Sequence, residues 1–216
     1  MILYKYLKRK YLEDFKKFGL IKINTLHALR TEHESIRDSL EGYSELEAGS
    51  ENEETVFTPE EFKKLMPSLR IPKTKNKIEI AIKRKSSFKS RLSTPNAYVF
   101  CTSYKCDTAL ASNFGYDAYY KIMNPEDFAQ TLFEKLNEKT TLNGYKIGKV
   151  TYTKRITKVT KTNIARIEHD IWEICFSKPI KYCGQCEYRM VFLPQFQKEI
   201  EPKILSCPEL LRFCAF

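Results

Sequence analysis

Glu187-Tyr188-Arg189-Met190-Val191-Phe192-Leu193 is the stretch from which the fold can be read. Past two charges at its mouth it is a continuous aromatic and aliphatic run, too short for a helix. Such a run reads as a strand covered on both faces. Tyr98-Val99-Phe100-Cys101 has the same character. Around these two the pattern predicts shorter strands at Ile2–Tyr6, Leu20–Ile23, Ile78–Ile82, Ala118–Ile122, Tyr145–Tyr152, Ile156–Thr160 and Trp172–Phe176. Helical spacing appears in Tyr11, Leu12, Phe15 and Phe18, closed by Gly19, and in Phe128, Leu132, Phe133 and Leu136 after Asn124-Pro125-Glu126-Asp127. Thr58-Pro59-Glu60-Glu61 and Asp107 open two more short helices, and Asn24 or Thr25 can cap another through Leu26, Leu29 and Ile36. Glu209–Phe216 reads as a docked helical tail. Strands this numerous, with helices gathered toward the front, predict an α+β fold with a mostly antiparallel sheet, not a doubly wound parallel one.

The chain has 216 residues, expected to form a single domain over 1–216 with a mobile acidic loop at about 43–58. Lys and Arg number 37 against 27 Asp and Glu, a net charge of +10, and the charge is blocky. Asp38–Glu61 holds nine acids and no Lys or Arg; 63–91 holds eleven basic residues and one acid, and 139–167 eight and none. The two basic stripes suit a nucleic acid, an acidic protein or a phosphorylated small molecule, or simply form a solvated face. No run is long enough to cross a bilayer, the opening residues are too charged for a signal peptide, and a cytoplasmic protein with no membrane partner is expected. Only 7 glycines are present, with neither a dinucleotide fingerprint nor a Walker loop among them. Seven scattered cysteines suit buried thiols in a reducing compartment. Cys183-Gly184-Gln185-Cys186 has the spacing of a zinc or dithiol pair, and with Cys101 and Cys106 could complete a four-thiolate site. His27, His33 and His169 lack the surroundings of a catalytic triad and read as structural.

Three constellations carry possible chemistry: Ile36-Arg37-Asp38-Ser39-Leu40-Glu41-Gly42, Cys101-Thr102-Ser103-Tyr104, and Glu187-Tyr188-Arg189. A carboxylate at the mouth of an apolar strand is costly unless it has a partner or a task. By strand alternation Glu187 and Arg189 share a face, so an ion pair is the plainest reading of the last.

The order of these pieces resembles a widespread bacterial family that opens with a Lys-Tyr strand and carries Asn-Asp-Pro-Phe-Glu, Cys-Phe-Ser and a late Glu-x-Arg. The matches are Lys5-Tyr6, Asp38-Ser39-Leu40-Glu41, Cys101-Thr102-Ser103 and Glu187-Tyr188-Arg189. Departures are Arg37 for Asn, Ser39 for Pro, and the acidic insertion after Gly42. More loosely the order resembles ADP-ribosyltransferases, which implies a split antiparallel sheet holding NAD. On that resemblance Glu187 is the catalytic carboxylate and Ser103 or Thr102 orients it or the ribose. Tyr4 or Tyr6 lines the nicotinamide pocket, Tyr116, Tyr119 or Tyr120 supplies a stacking ring unless that Tyr-rich stretch is core, and Arg30 or Arg37 meets phosphate. The implied activity is transfer of ADP-ribose to a nucleic-acid or protein acceptor held on the basic stripes, as a toxin, effector or antiviral factor would do. Two readings compete: a non-catalytic basic binding module, and a metal-dependent nuclease with Asp38, Glu41 and Glu187 as ligands.

Overall fold

The computed structural model describes residues 1–31, 38–39, 41–50, 52–70, 79–154, 156–164, 170–196 and 199–216. In chain order the elements are β1 (Leu3–Leu7), α1 (Arg9–Phe18), β2 (Leu20–Thr25), β3 (Tyr43–Ser50), β4 (Thr55–Phe57), α2 (Pro59–Leu65), β5 (Ile80–Ile82), β6 (Ser86–Ser93) and β7 (Tyr98–Ser103). There follow α3 (Thr108–Asn113), β8 (Ala118–Ile122), α4 (Pro125–Asn137), β9 (Leu142–Lys149), β10 (Thr151–Thr153) and β11 (Ile156–Val159). The last are α5 (Ile171–Cys175), β12 (Ser177–Pro179), β13 (Glu187–Pro194), β14 (Lys203–Ser206) and β15 (Cys214–Ala215). The class is α+β, with several antiparallel sheets and few helices. Contacts divide the chain into two compact units, the first Met1–Gly42, Pro95–Thr153 and Cys175–Phe216, the second Tyr43–Thr94 and Lys154–Ile174.

In the first unit the two apolar runs lie side by side. β13 covers the whole of one edge of β7, from Glu187 opposite Ser103 to Phe192 opposite Tyr98, and β9 flanks β13. Two strands share the other edge of β7. β2 pairs its start, with Asn24 opposite Val99, and β1 meets its end, with Tyr4 opposite Ser103. β2 leads on to β14, whereas β1 leads to β8 and β15, all antiparallel. The sheet is therefore forked between β1 and β2. Within the fork the Cys101 carbonyl accepts a bond from the Lys5 ammonium at 2.8 Å.

One face of this sheet carries the core. Leu3, Ile23, Phe100, Tyr120, Met190 and Phe192 pack with Leu12 and Phe15 of α1 and Phe128 and Leu132 of α4. The helix ends obey local chemistry. Gly19, at φ 63°, closes α1 by donating to the Phe15 carbonyl, and Asn124 caps α4 through the Asp127 amide. The stretch expected as a helix after Thr25 is a short 3-10 turn over Ala28–Thr31, with the Thr25 hydroxyl accepting from the Ala28 amide. The tail is 3-10 over Pro208–Phe213, followed by β15.

The second unit has its own core of Leu46, Phe57, Phe62, Leu65, Ile82, Val159 and Ile164. Here the structure corrects the loop expected at 43–58, which forms β3 and β4. β3 is the centre of a three-stranded sheet, antiparallel to β6 and parallel to β11. Leu46 and Ala48 turn into the core while Glu45 and Glu47 face out, where Arg91 pairs with Glu45 at 2.8 Å and Lys89 with Glu47 at 3.5 Å. Cross-strand pairing makes this acidic segment a strand, and it also neutralises part of the basic stripe at 63–91. The strand expected at Trp172–Phe176 is another correction: α5 forms there, because the Asp170 carboxylate accepts the Trp172 amide at 2.8 Å and starts a helical turn. Among the described residues no helix is long and apolar enough to cross a membrane.

Candidate active site

The register of the forked sheet aligns two of the three sequence constellations with the first strand. Tyr4 is opposite Ser103, and Ser103 is opposite Glu187, so the three stand in one row across β1, β7 and β13. Alternation puts them on the face away from the helices. Cys101 and Arg189 form the next row on that same face.

Behind this face lies a buried network of charges. The Glu187 carboxylate accepts from Arg189 Nε at 2.7 Å and from Lys178 Nζ at 3.0 Å. A second nitrogen of Arg189 reaches Glu41 at 2.7 Å and the Cys175 carbonyl at 2.5 Å. Lys178 also donates to Gln185 at 2.7 Å. Glu41, Lys178, Glu187 and Arg189 are all buried, and Arg189 has no exposed surface. Two cations balance two anions. Burial alone pushes the Glu187 carboxyl up, but the Arg189 guanidinium and then the Lys178 ammonium outweigh it, holding the group well below the usual carboxylate range. Cys101 touches the same carboxylate, and burial first, then the Glu187 charge, pushes its thiol far up. Glu187 is thus ionised at neutral pH, and Cys101 is a protonated thiol.

Beside Glu187 is a cavity of about 110 Å³ that reaches across the fork. Tyr4, Lys5 and Tyr6 of β1, Lys22 and Asn24 of β2, Cys101, Thr102 and Ser103 of β7, and Lys178, Gln185 and Glu187 all contribute to its wall. Phe114 and Tyr116 add aromatic rings, and Lys22 is exposed. Lysines outnumber the carboxylate in this wall, so the cavity favours a ligand with anionic groups.

The site residues expected from sequence divide cleanly. Tyr4, Tyr6, Thr102, Ser103 and Glu187 come together. The Ser103 hydroxyl donates to the carbonyls of Lys105 and Cys186, so it fixes the residue preceding Glu187 rather than Glu187 itself. Thr102 turns its hydroxyl to the Tyr188 carbonyl at 2.9 Å. Tyr6 bridges the loop after β7, donating to the Lys105 carbonyl and accepting from the Asp107 amide. Tyr120 is a correction: it is 2% exposed and stacks on Phe15 at 4.6 Å in the core, on the face opposite the cavity. Arg30 donates to the Glu41 carbonyl at 2.8 Å and buttresses the charge network instead of lining the cavity. Arg37, His33 and His169 lie outside the described residues. The nuclease ligands are corrected as well, because the Arg189 guanidinium stands between Glu41 and Glu187 where a metal would be needed. Among the described residues no His, Cys, Asp and Glu converge in threes, so Cys183 and Cys186 are not joined by Cys101 and Cys106.

Sequence reasoning missed Lys178, Lys5, Lys22 and Asn24, whereas Tyr116, one of the three rings it offered for stacking, lines the cavity. Lys5 stood in a quoted pair and strand alternation places Lys22 and Asn24 on one face, but Ser177-Lys178-Pro179 carries no pattern at all. Comparison of the chain with protein-family models, with curated proteins and with solved structures returns no match.

Proposed function

We propose that the forked sheet houses an ADP-ribosyl transfer site with NAD as substrate and Glu187 as the catalytic carboxylate. The observation that carries this is the row Tyr4–Ser103–Glu187, which brings three distant stretches of the chain to one wall of one cavity. Breaking the nicotinamide–ribose bond sends the bonding pair to nicotinamide and leaves positive charge on the ribose. A fixed, ionised carboxylate beside that carbon stabilises the charge, accepts a bond from the 2′-hydroxyl, and takes the proton of the attacking nucleophile. Lys178 and Arg189 lock the carboxylate's geometry and keep it charged, while drawing off part of its field. The cavity is smaller than the ~300–1,000 Å³ of pockets that enclose whole ligands. It therefore suits the nicotinamide and its sugar, ringed by Tyr4, Tyr6 and Tyr116, with Lys5 and Lys22 meeting the diphosphate.

The test is labelled NAD incubated with the protein and a cell lysate, asking whether label lands on protein, RNA or DNA. Glu187→Gln should abolish transfer while NAD still raises the melting temperature. Chelator should leave the activity intact.

A second reading is favoured by one observation: both oxygens of Glu187 are already bonded within the protein. It makes the network structural and the protein a basic binding module. Its contact is then sought at Lys83-Arg84-Lys85, an exposed turn outside the Glu45–Arg91 and Glu47–Lys89 pairs. Polyanion binding that falls steeply with salt and survives Glu187→Gln, with no thermal shift from NAD, would establish this reading instead.

A further inference from the structure

The segment between Lys178 and Glu187 is a 3-10 turn over Ile180–Gln185, capped by Cys186. Cys183 lies within this turn and Cys186 closes it in the left-handed region. The Cys186 amide donates to the Cys183 carbonyl at 3.1 Å, and the Cys186 sulfur lies 3.7 Å from that same oxygen, folded back over the turn. A turn of this kind holds the two Cα atoms within ~7 Å, close to the ~4.4–6.8 Å that a disulfide spans. Burial first, then the nearby Cys186 and Cys183, push the Tyr104 phenol above its ordinary range. Cys183 is exposed and Cys186 half-buried, so a small reagent can reach the pair.

Cys186 is also a joint. It is one of two non-glycine residues at positive φ among those described, at 45°. Its carbonyl accepts from the Ser103 hydroxyl at 3.2 Å and from the Tyr104 amide at 3.0 Å. Its neighbours on either side are Gln185, which holds Lys178, and Glu187.

We infer that Cys183 and Cys186 are a reactive vicinal dithiol, oxidised by a low-molecular-weight disulfide, and that bridging them releases the Ser103–Tyr104 strand end. The Cys183 sulfur attacks one sulfur of oxidised glutathione and expels one glutathione thiol, leaving a mixed disulfide. Cys186 attacks the Cys183 sulfur of that adduct and expels the second glutathione. Two protein thiols are oxidised to one disulfide, and one glutathione disulfide is reduced to two thiols. The new bond draws the Cys186 sulfur off the Cys183 carbonyl and turns the Cys186 backbone, taking its carbonyl away from Tyr104. The bridge does not depend on the transferase reading.

The test equilibrates the full chain in buffers of graded oxidised and reduced glutathione, quenches with an alkylating agent, and maps the disulfides by mass spectrometry. A Cys183–Cys186 bridge in the wild type and in Cys106→Ser is expected. Cys186→Ser should trap a glutathione adduct on Cys183. An adduct on Cys183 with Cys186 still free in the wild type, a bridge from either residue to Cys106, or no oxidation of the pair would each overturn the proposal. Hydrogen exchange then reads the coupling: the Tyr104 amide should lose at least tenfold in protection on bridging, and unchanged protection would overturn the coupling. Loss of NAD binding in the reduced protein would count against the transferase alone, leaving the disulfide map to decide the dithiol.

Discussion

Arg189 is the residue on which the site is built. It is buried entirely, yet carries a full charge bonded to Glu187 on its own strand and to Glu41 from the other end of the chain. Removing one partner from such a network leaves the others buried and unpaired. Arg189→Ala takes the guanidinium from Glu41 and leaves Glu187 with Lys178 alone, so urea unfolding should show a loss of about 3–5 kcal/mol. Glu187 adds a pH dependence of definite sign. Its folded-state pKa lies below the ordinary 4.5, so its contribution is complete above that value and is lost as pH falls beneath it. The melting temperature should therefore drop on acidification from about pH 5 toward pH 3. Glu187→Gln should remove much of that slope and lower stability at neutral pH, and a pH series of thermal melts on both proteins checks this. Glu187 was legible in the sequence because a lone charge opening an apolar run has to be accounted for. Its pairing with Arg189 followed from alternation. Lys178 and Glu41 were not legible as partners, since nothing local ties Ser177-Lys178-Pro179 to that carboxylate or a residue 148 positions distant to Arg189.

Among the elements, those that announce themselves do so through their ends. Gly19, Thr58, Asp107 and Asn124 each stop or start a helix by one local hydrogen bond, and the structure places each where the sequence reading puts it. Gly19 is the sharpest case. Its φ is +63°, and a Cβ there would meet the Pro208 backbone nitrogen at 2.4 Å. Left-handed strain and a backbone clash add, so Gly19→Ala should cost on the order of 1–3 kcal/mol. Thr58→Ala, which breaks a complete capping box, should cost about 1 kcal/mol. Chemical denaturation of the two variants checks the order. The elements that were missed are those whose strand character comes from partners. Ser86–Ser93 is rich in serine and charge, and extends because β3 supplies both a ladder and opposite charges. Trp172–Phe176 has the composition of a strand, but one aspartate before it decides for a helix.

At the scale of the molecule, the chain forms two compact units with separate cores. The chain crosses between them several times, and contiguity in sequence conceals this. Phe57 and Phe100 are each at most 1% exposed, in different cores. Phe57→Ala and Phe100→Ala should each cost about 3–5 kcal/mol. Hydrogen exchange should accelerate chiefly within the unit that carries the substitution, and equal acceleration in both would show that the cores unfold together. The charge pattern reads differently at this scale too. Glu45 and Glu47 of the acidic block and Lys89 and Arg91 of the basic stripe are partners on one small sheet.

The fork has a mechanical consequence. Where β7 lacks a neighbouring strand, a lysine ammonium on a flexible four-carbon stem stands in for a backbone amide. The edge of β7 between its pairings with β2 and β1 is thus closed by a side chain and not by a ladder, and the crevice opens there without leaving the Cys101 carbonyl bare.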